Sequence, residues 1–163
     1  MANFGATNQL GTAPTSMTAT PQTQLSVTAA TATLTQGCLI DVSFGQNGAP
    51  STTDGDVVWQ IARCTSAGTP GSTFVAVPTQ PGWRASGNVV GVNHSASPTG
   101  FNTITSLLYS IPINQRASYR WMPVPGSELY WAATNAVGLA ISASSPVASS
   151  YSSTVITSVT YQE

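Results

Sequence analysis

The stretch VGLAISAS, residues 137–144, decides the fold class. Apolar residues recur at every second position, so Val137, Leu139 and Ile141 share one face and small residues share the other. An extended strand places alternate side chains on opposite faces, whereas a helix groups them every three or four residues. The stretch therefore predicts a β-strand with one face in a core.

The same alternation continues along most of the chain after residue 23. Further apolar rows fall at residues 25–29, 38–44, 57–61, 107–113 and 155–161, separated by turns rich in Gly, Pro and Asn. Residues 83–103 lack the pattern and are expected to form a crossing or an exposed loop. Short strands with such turns predict an all-β fold, a jelly-roll-like antiparallel β-sandwich of about eight strands over residues 24–163.

Residues 1–23 have a different composition. Ala, Thr, Asn, Gln, Gly and Pro dominate, with isolated Phe4, Leu10 and Met17. Such a composition without periodicity is typical of a linker, so the segment is expected to be an extended polar N-terminal arm. We expect the arm to be loose in the free protein and to contact neighbouring subunits through these three apolar residues.

Charged residues are unusually scarce. Asp, Glu, Lys and Arg make up 6% of the 163 residues, against about 25% in a typical soluble domain. All four cations are Arg, and five acids balance them, so the sequence argues against nucleic-acid binding by phosphate neutralisation. A neutral surface gives little protection against association, which predicts that partners cover much of it.

The two cysteines, Cys38 and Cys64, do not make a disulfide framework, and Cys38 falls on an apolar row. We expect buried free thiols, with a disulfide or metal role as the alternative.

No segment reaches the roughly 18 apolar residues of a membrane helix, and no signal-peptide pattern is visible, which predicts a protein that folds in a cytosol.

Candidate catalytic and metal-binding residues are few. His94 is the single histidine, and the sequence around it lacks a nucleophile motif, so a solvated loop residue is expected. Asp54 and Asp56 could offer carboxylates to calcium, but a turn between strands explains them more simply. No phosphate loop, dinucleotide fingerprint or metal cluster is present, so neither an enzyme nor a cofactor is expected.

Two cations lie close together in the second half. Arg116 and Arg120 lie within a stretch of five residues, and a hairpin at residues 123–126 would bring Arg120 near Glu128. Either an intramolecular ion pair or a contact across a subunit boundary fits this spacing. The same hairpin would let Trp121 and Trp131 stack across it.

The other two tryptophans also have predicted places. Trp59 lies on an apolar row and is expected in the core. Trp83 follows a Pro-Gly turn and is expected at the surface, where it could contribute to an interface.

The most distinctive run is SIPINQRASYRWMPVPGSEL at residues 110–129, followed by ATNAVGL at 133–139. It is preceded by VWQIARCTSAGT at residues 58–69, and VTYQE follows at 159–163. Together these stretches resemble the small jelly-roll virion proteins of tailed bacteriophages, including capsid decoration (cement) proteins. The resemblance covers roughly residues 25–163 and consists of a pattern over a whole domain.

The resemblance implies a structural virion protein that binds the outer surface of a tailed-phage head and stabilises the shell. Its implied partners are the major capsid protein and two further copies in a homotrimer, with synthesis in the host cytoplasm. The alternative is a receptor- or glycan-binding head domain of a phage tail or fibre protein, since these can share the architecture.

Overall fold

The computed structural model describes residues 1–9, 19–47, 54–99, 106–145 and 154–163. Within these ranges the chain forms strands and turns, and no helix is present. The strands are β1 (Asn3–Thr7), β2 (Gln22–Ala29), β3 (Gly37–Asn47), β4 (Asp56–Cys64), β5 (Ser72–Val75), β6 (Val77–Pro78), β7 (Asn88–Val92), β8 (Leu107–Asn114), β9 (Tyr119–Trp121), β10 (Leu129–Trp131), β11 (Gly138–Ser144) and β12 (Thr154–Gln162).

The strands form two antiparallel sheets packed face to face. Sheet A has the order β10-β3-β12-β1-β6, with β9 also paired to β3, and sheet B has the order β5-β7-β2-β11-β4-β8. From β1 to β4, successive strands alternate between sheet A and sheet B. The same alternation holds from β8 to β12 when β9 and β10, which both pair with β3, are counted as one strand. This is the strand order of a jelly roll, with β5, β6 and β7 added between β4 and β8. The predicted fold class is confirmed.

The core lies between the sheets and follows the predicted alternation closely in β4. Val57, Trp59 and Ile61 are at most 1% exposed, and Trp59 packs against Phe44 with ring centroids 5.0 Å apart. Burying each such side chain contributes about 1.5–3 kcal/mol to stability. Trp59 was expected in the core, and it is there.

A β-bulge in β3 changes the predicted apolar row of that strand. Thr160 of β12 pairs with Asp41, but the next residue pairs with Leu39, so Ile40 is skipped. Leu39 therefore points into the core together with Val42 and is 1% exposed. The strict alternation predicted from Cys38 through Ile40 was wrong, because an extra residue reverses the faces on one side of a bulge.

The start of the chain differs from the predicted extended arm. Residues 3–7 form β1, which lies inside sheet A between β12 and β6. Phe4 is 0% exposed and stacks on Tyr161 with centroids 5.5 Å apart. Gln22 and Thr23, also assigned to the arm, begin β2. Residues 10–18 lie outside the described residues.

Strand β7 lies within residues 83–103, which were expected to be a crossing or exposed loop. It pairs with β2 on one side and β5 on the other. Five residues with apolar Val89, Val90 and Val92 form this strand, and the Gly and Asn around them hid the pattern. The prediction for this segment was wrong for residues 88–92.

Both faces of sheet B are buried at its centre, around β2 and β11. Every residue of β11 is buried, on either face of the sheet. Pro70 and His94 lie against Gly91 and Ser26 on the outer side of this sheet. The loops that carry them are joined by hydrogen bonds from Thr69 N to Ala96 O and from Ser95 N to Thr69 O, each 2.9 Å. The centre of sheet B is therefore covered outside as well as inside.

Asn8 joins the two sheets where β1 ends. Its side chain is fully buried, donates to Val155 O at 2.9 Å and accepts from Thr157 N at 2.9 Å. Asn93, after β7, donates to Asn8 O at 3.1 Å. The amide of Asn8 thus replaces the backbone pairing that β1 would otherwise provide to β12.

Replacement of Asn8 by alanine is expected to lower the free energy of unfolding by about 2–4 kcal/mol, because buried backbone groups of Val155 and Thr157 lose their partners. Gln9→Ala changes an exposed neighbour and serves as the control. Urea denaturation followed by tryptophan fluorescence measures both. Equal stability of the two variants would contradict this role for Asn8.

Candidate functional surface

Four of the six residues predicted at an interface are described by the structure, and these four do not form one surface. Phe4 is in the core, so the prediction that it contacts a partner was wrong: β1 is a paired strand, and its alternate side chains face inward. Leu10 and Met17 lie outside the described residues. Trp83, Arg116 and Arg120 are at the surface and are described in turn.

Trp83 follows a turn in which Gly82 has φ of 86°. Its side chain is 44% exposed, as the Pro-Gly turn predicted. The next residue, Arg84, reaches the carboxylate of Glu163 at 3.5 Å. Trp83 is thus an exposed aromatic side chain beside a segment anchored to the end of β12.

Arg116 forms an exposed ion pair after β8. Its Nε donates to Asp54 Oδ1 at 3.0 Å, and Gln115 Nε2 donates to the same oxygen at 3.2 Å. The hydrogen bond from Arg116 and then that from Gln115 lower the pKa of Asp54. Of the two readings of Arg116, the geometry shows an intramolecular pair, which exposure makes weak.

Arg120 pairs with Asp41 and not with Glu128. Its Nε lies 2.9 and 3.0 Å from the two carboxylate oxygens of Asp41. Glu128 instead accepts a hydrogen bond from Gly126 N at 3.0 Å. The predicted partner was wrong because β9 and β10 do not pair with each other; each pairs with β3, and that register places Arg120 opposite Ser43.

The same pairing separates Trp121 from Trp131. Trp121 packs on Tyr109 of β8, with ring centroids 5.6 Å apart, and Trp131 packs edge-on against Tyr161 at 5.7 Å. Trp131 is 3% exposed and donates from Nε1 to Asn88 Oδ1 at 3.1 Å. The predicted stacking of the two tryptophans was wrong, since a hairpin between their strands does not form.

The segment between β9 and β10 displays apolar side chains on a well-supported turn. Met122 is 60% exposed and Val124 is 73% exposed. Ser127 donates to Val124 O from its backbone at 2.9 Å and from its hydroxyl at 2.7 Å, and Gly126 has φ of 90°. We name residues 122–128 the apolar turn. Its Pro-Val-Pro-Gly sequence signalled a turn but not the exposure of the two apolar side chains.

The outer face of sheet A is open, in contrast to sheet B. A shallow groove of about 320 Å³ runs across β1, β12 and β3, and small residues line it: Gly5, Thr7, Asp41, Ser43, Ser158 and Thr160. Small side chains leave the backbone close to the surface. The groove offers hydroxyl groups and the carboxylate of Asp41, which Arg120 already neutralises.

Charges on this molecule are largely paired with one another. Three of the four Arg form ion pairs, Arg84 with Glu163, Arg116 with Asp54 and Arg120 with Asp41. The net charge is −1. Such a surface produces only a weak long-range field, so electrostatic steering contributes little to any association.

His94 is buried, which contradicts the predicted solvated loop. It is 2% exposed, and its Nε2 lies 3.0 Å from Ser26 Oγ. The backbone of His94 continues the β2–β7 pairing by donating to Thr23 O at 3.1 Å, which draws the side chain under the surface. Ser26 is itself 1% exposed, so this pair is closed to a substrate from solvent.

The cysteines are buried and unpaired, as predicted. Burial raises the pKa of Cys64 to about 12 and also raises the pKa of Cys38. Both thiols are therefore protonated at neutral pH and are poor nucleophiles.

Comparisons with known proteins found no match for the chain among protein families, curated proteins or solved structures. In the described ranges, no helix is long and apolar enough to cross a membrane.

Burial lowers the pKa of His94 to about 4, whereas an unfolded chain has a value of about 6.5. Above pH 6.5 both states are neutral, and the folded state keeps its full stability. As the pH falls from 6.5 to 4, only the unfolded chain takes up the proton, so folding stability decreases by on the order of 3 kcal/mol.

His94→Gln keeps a polar side chain beside Ser26 but does not titrate. The stability of the wild type minus that of this variant is expected to fall between pH 6.5 and pH 4 in chemical denaturation. A constant difference over this range would refute the role assigned to His94.

Proposed function

We propose that the chain is a structural virion protein, a capsid decoration (cement) protein that binds the outer surface of a tailed-phage head. The observation that carries the proposal is a surface whose charges are internally paired while large apolar side chains are exposed. The resemblance of residues 25–163 to jelly-roll virion proteins supplies the specific setting. The jelly-roll sandwich is compatible with this role and with other binding roles.

The exposed apolar residues follow the edges and turns of the sandwich. In the part of the chain that the structure describes, they are Met1, Leu34, Val75, Val77, Trp83, Leu107, Tyr119, Met122, Val124 and Tyr130. Isolated exposed apolar residues are normal, but here few unpaired charges surround them. Contact with neighbouring subunits would remove part of this surface from water, and each fully covered side chain would contribute about 1.5–3 kcal/mol.

The apolar turn is the best-formed of these contact points. Its hydrogen bonds and two prolines restrict the backbone before any partner binds, so little conformational entropy is lost on contact. Met122 and Val124 would enter an apolar depression on the major capsid protein. Hydrogen bonds from the open face of sheet A could add to this contact.

Stabilisation of the shell would follow from mass action. A protein that binds the assembled shell and not its separated subunits lowers the free energy of the assembled state, and many symmetric copies multiply the effect. Association into a homotrimer would give three apolar turns per unit and a corresponding gain in avidity.

A receptor- or glycan-binding head domain is the second candidate, and the exposed ring of Trp83 favours it. Sugars stack on such rings, and the hydroxyl-lined groove on sheet A offers further polar contacts. The two functions differ in copy number and target. A decoration protein is present in hundreds of copies and does not bind host cells, whereas purified head domain binds cells directly.

The double substitution Met122→Ser and Val124→Ser is expected to weaken attachment to undecorated shells by about 10- to 100-fold, because two apolar contacts are lost. Val77→Ser is the matched control, since Val77 is 72% exposed at the opposite edge of sheet A. Sedimentation of shells with bound protein measures both, and circular dichroism checks the folds. Unchanged attachment of the double variant would exclude the apolar turn as the contact.

Attachment is also expected to depend weakly on salt, because few charges can contribute to the interface. The same sedimentation assay at low and at moderate NaCl concentrations tests this. Release of the protein by moderate NaCl would contradict an apolar, hydrogen-bonded interface.

A further inference from the structure

The carboxylate of Glu163 is buried next to the loop that precedes β7. Its side chain is 0% exposed, although it carries one of only five acidic groups in the chain. Removing a carboxylate from water is costly unless hydrogen-bond donors replace the water. The surroundings of Glu163 therefore have to supply several donors.

Three consecutive residues supply them. Gly87 N donates to Oε2 at 3.0 Å, Asn88 N donates to Oε1 at 3.2 Å, and Asn88 Nδ2 donates to Oε1 at 2.7 Å. The hydroxyl of Ser86 also donates to Oε1. Successive backbone N–H groups that converge on one anion form a nest, a recurrent way of binding carboxylates and phosphates.

Neighbouring side chains fix the direction of these donors. Trp131 Nε1 donates to Asn88 Oδ1 at 3.1 Å, which turns Asn88 Nδ2 toward the carboxylate. The hydroxyl of Tyr161 lies 2.7 Å from Ser86 Oγ. The carboxylate of Glu163 only accepts, so the single proton of Ser86 is donated to it, and the Tyr161 hydroxyl is the donor to Ser86.

Hydrogen bonds to the carbonyl of Gly87 also fix the backbone of the nest. Thr33 Oγ1 donates to Gly87 O at 3.0 Å, and Ala30 N donates to the same oxygen at 3.4 Å. Glu163 is positioned independently, because its backbone exchanges two hydrogen bonds with Ala2, at 3.0 and 3.1 Å. The donors are therefore set in place by groups other than the carboxylate they bind.

We propose that residues 86–88 form a carboxylate-binding site and that Glu163 is its ligand, supplied by the chain itself. The ligand extends β12 of sheet A, and Asn88 begins β7 of sheet B, so the bound carboxylate locks the two sheets together. The site binds a carboxylate group as such and retains this ability when Glu163 no longer fills it. This inference is independent of the proposed virion function.

The test removes the carboxylate of Glu163 by substitution and supplies a free carboxylate, acetate, from solution. Glu163→Ala removes the atoms that acetate contains, one carbon and the carboxylate, and leaves the nest intact. The Tm of E163A is expected to fall by roughly 5–10 °C. Sodium acetate should then raise the Tm of E163A more than sodium chloride at equal ionic strength, as a ligand of the folded state does.

Four controls separate binding at the site from general effects of salt and of substitution. The wild type and Glu163→Gln have filled sites, so in each of them acetate and chloride should differ only by their general salt effect, a smaller difference than in E163A. Acetamide, which has the shape of acetate without its charge, should not rescue E163A. Arg84→Ala should stay near the wild-type Tm, because Arg84 is 64% exposed and 3.5 Å from the carboxylate.

An acetate–chloride difference in E163A no larger than that in the wild type would overturn the proposal, and so would a wild-type Tm for E163A. If E163A is unfolded without added salt, recovery of native tryptophan fluorescence on addition of acetate is the readout. Recovery with acetate and not with chloride supports the site, and no recovery refutes it.

Discussion

The pairing of β12 with both β1 and β3 is the interaction on which the rest of the sandwich depends. β12 pairs with β3 over nine positions and with β1 over five, which joins residues 3–7 to residues 158–162. β1 has only a two-residue pairing with β6 on its other side. The register of β12 also determines which side chains of its neighbours face the core, because one residue of slip would reverse them.

These contacts connect distant parts of the sequence, so forming them costs the entropy of closing long loops. The buried polar groups are placed where they secure such connections. Asn8 joins the end of β1 to β12 and to Asn93 after β7, and Glu163 joins the end of β12 to Asn88. In a chain with few charges, buried amides and one carboxylate hold the sheets in their relative position.

The outside of the molecule follows from the same composition. Most Arg side chains are paired with acids, so the described surface carries few unpaired charges, and apolar side chains are exposed at edges and turns. The covered face of sheet B and the open face of sheet A give the sandwich two unlike sides. Such a surface gives little charge repulsion between copies, which agrees with the assembly role we propose.

The sequence by itself determined the all-β class, the jelly-roll-like sandwich and the core position of Trp59. Each of these depends on local alternation, which a strand expresses wherever one face is covered. The tertiary structure alone decided where β1 goes, because the four residues Asn, Gly, Ala and Thr around Phe4 carry too little pattern to be recognised. It also decided the bulge at Ile40, the partner of Arg120 and the burial of His94. Those features depend on which strands pair and in which register, and pairing is fixed by contacts between residues far apart in the chain.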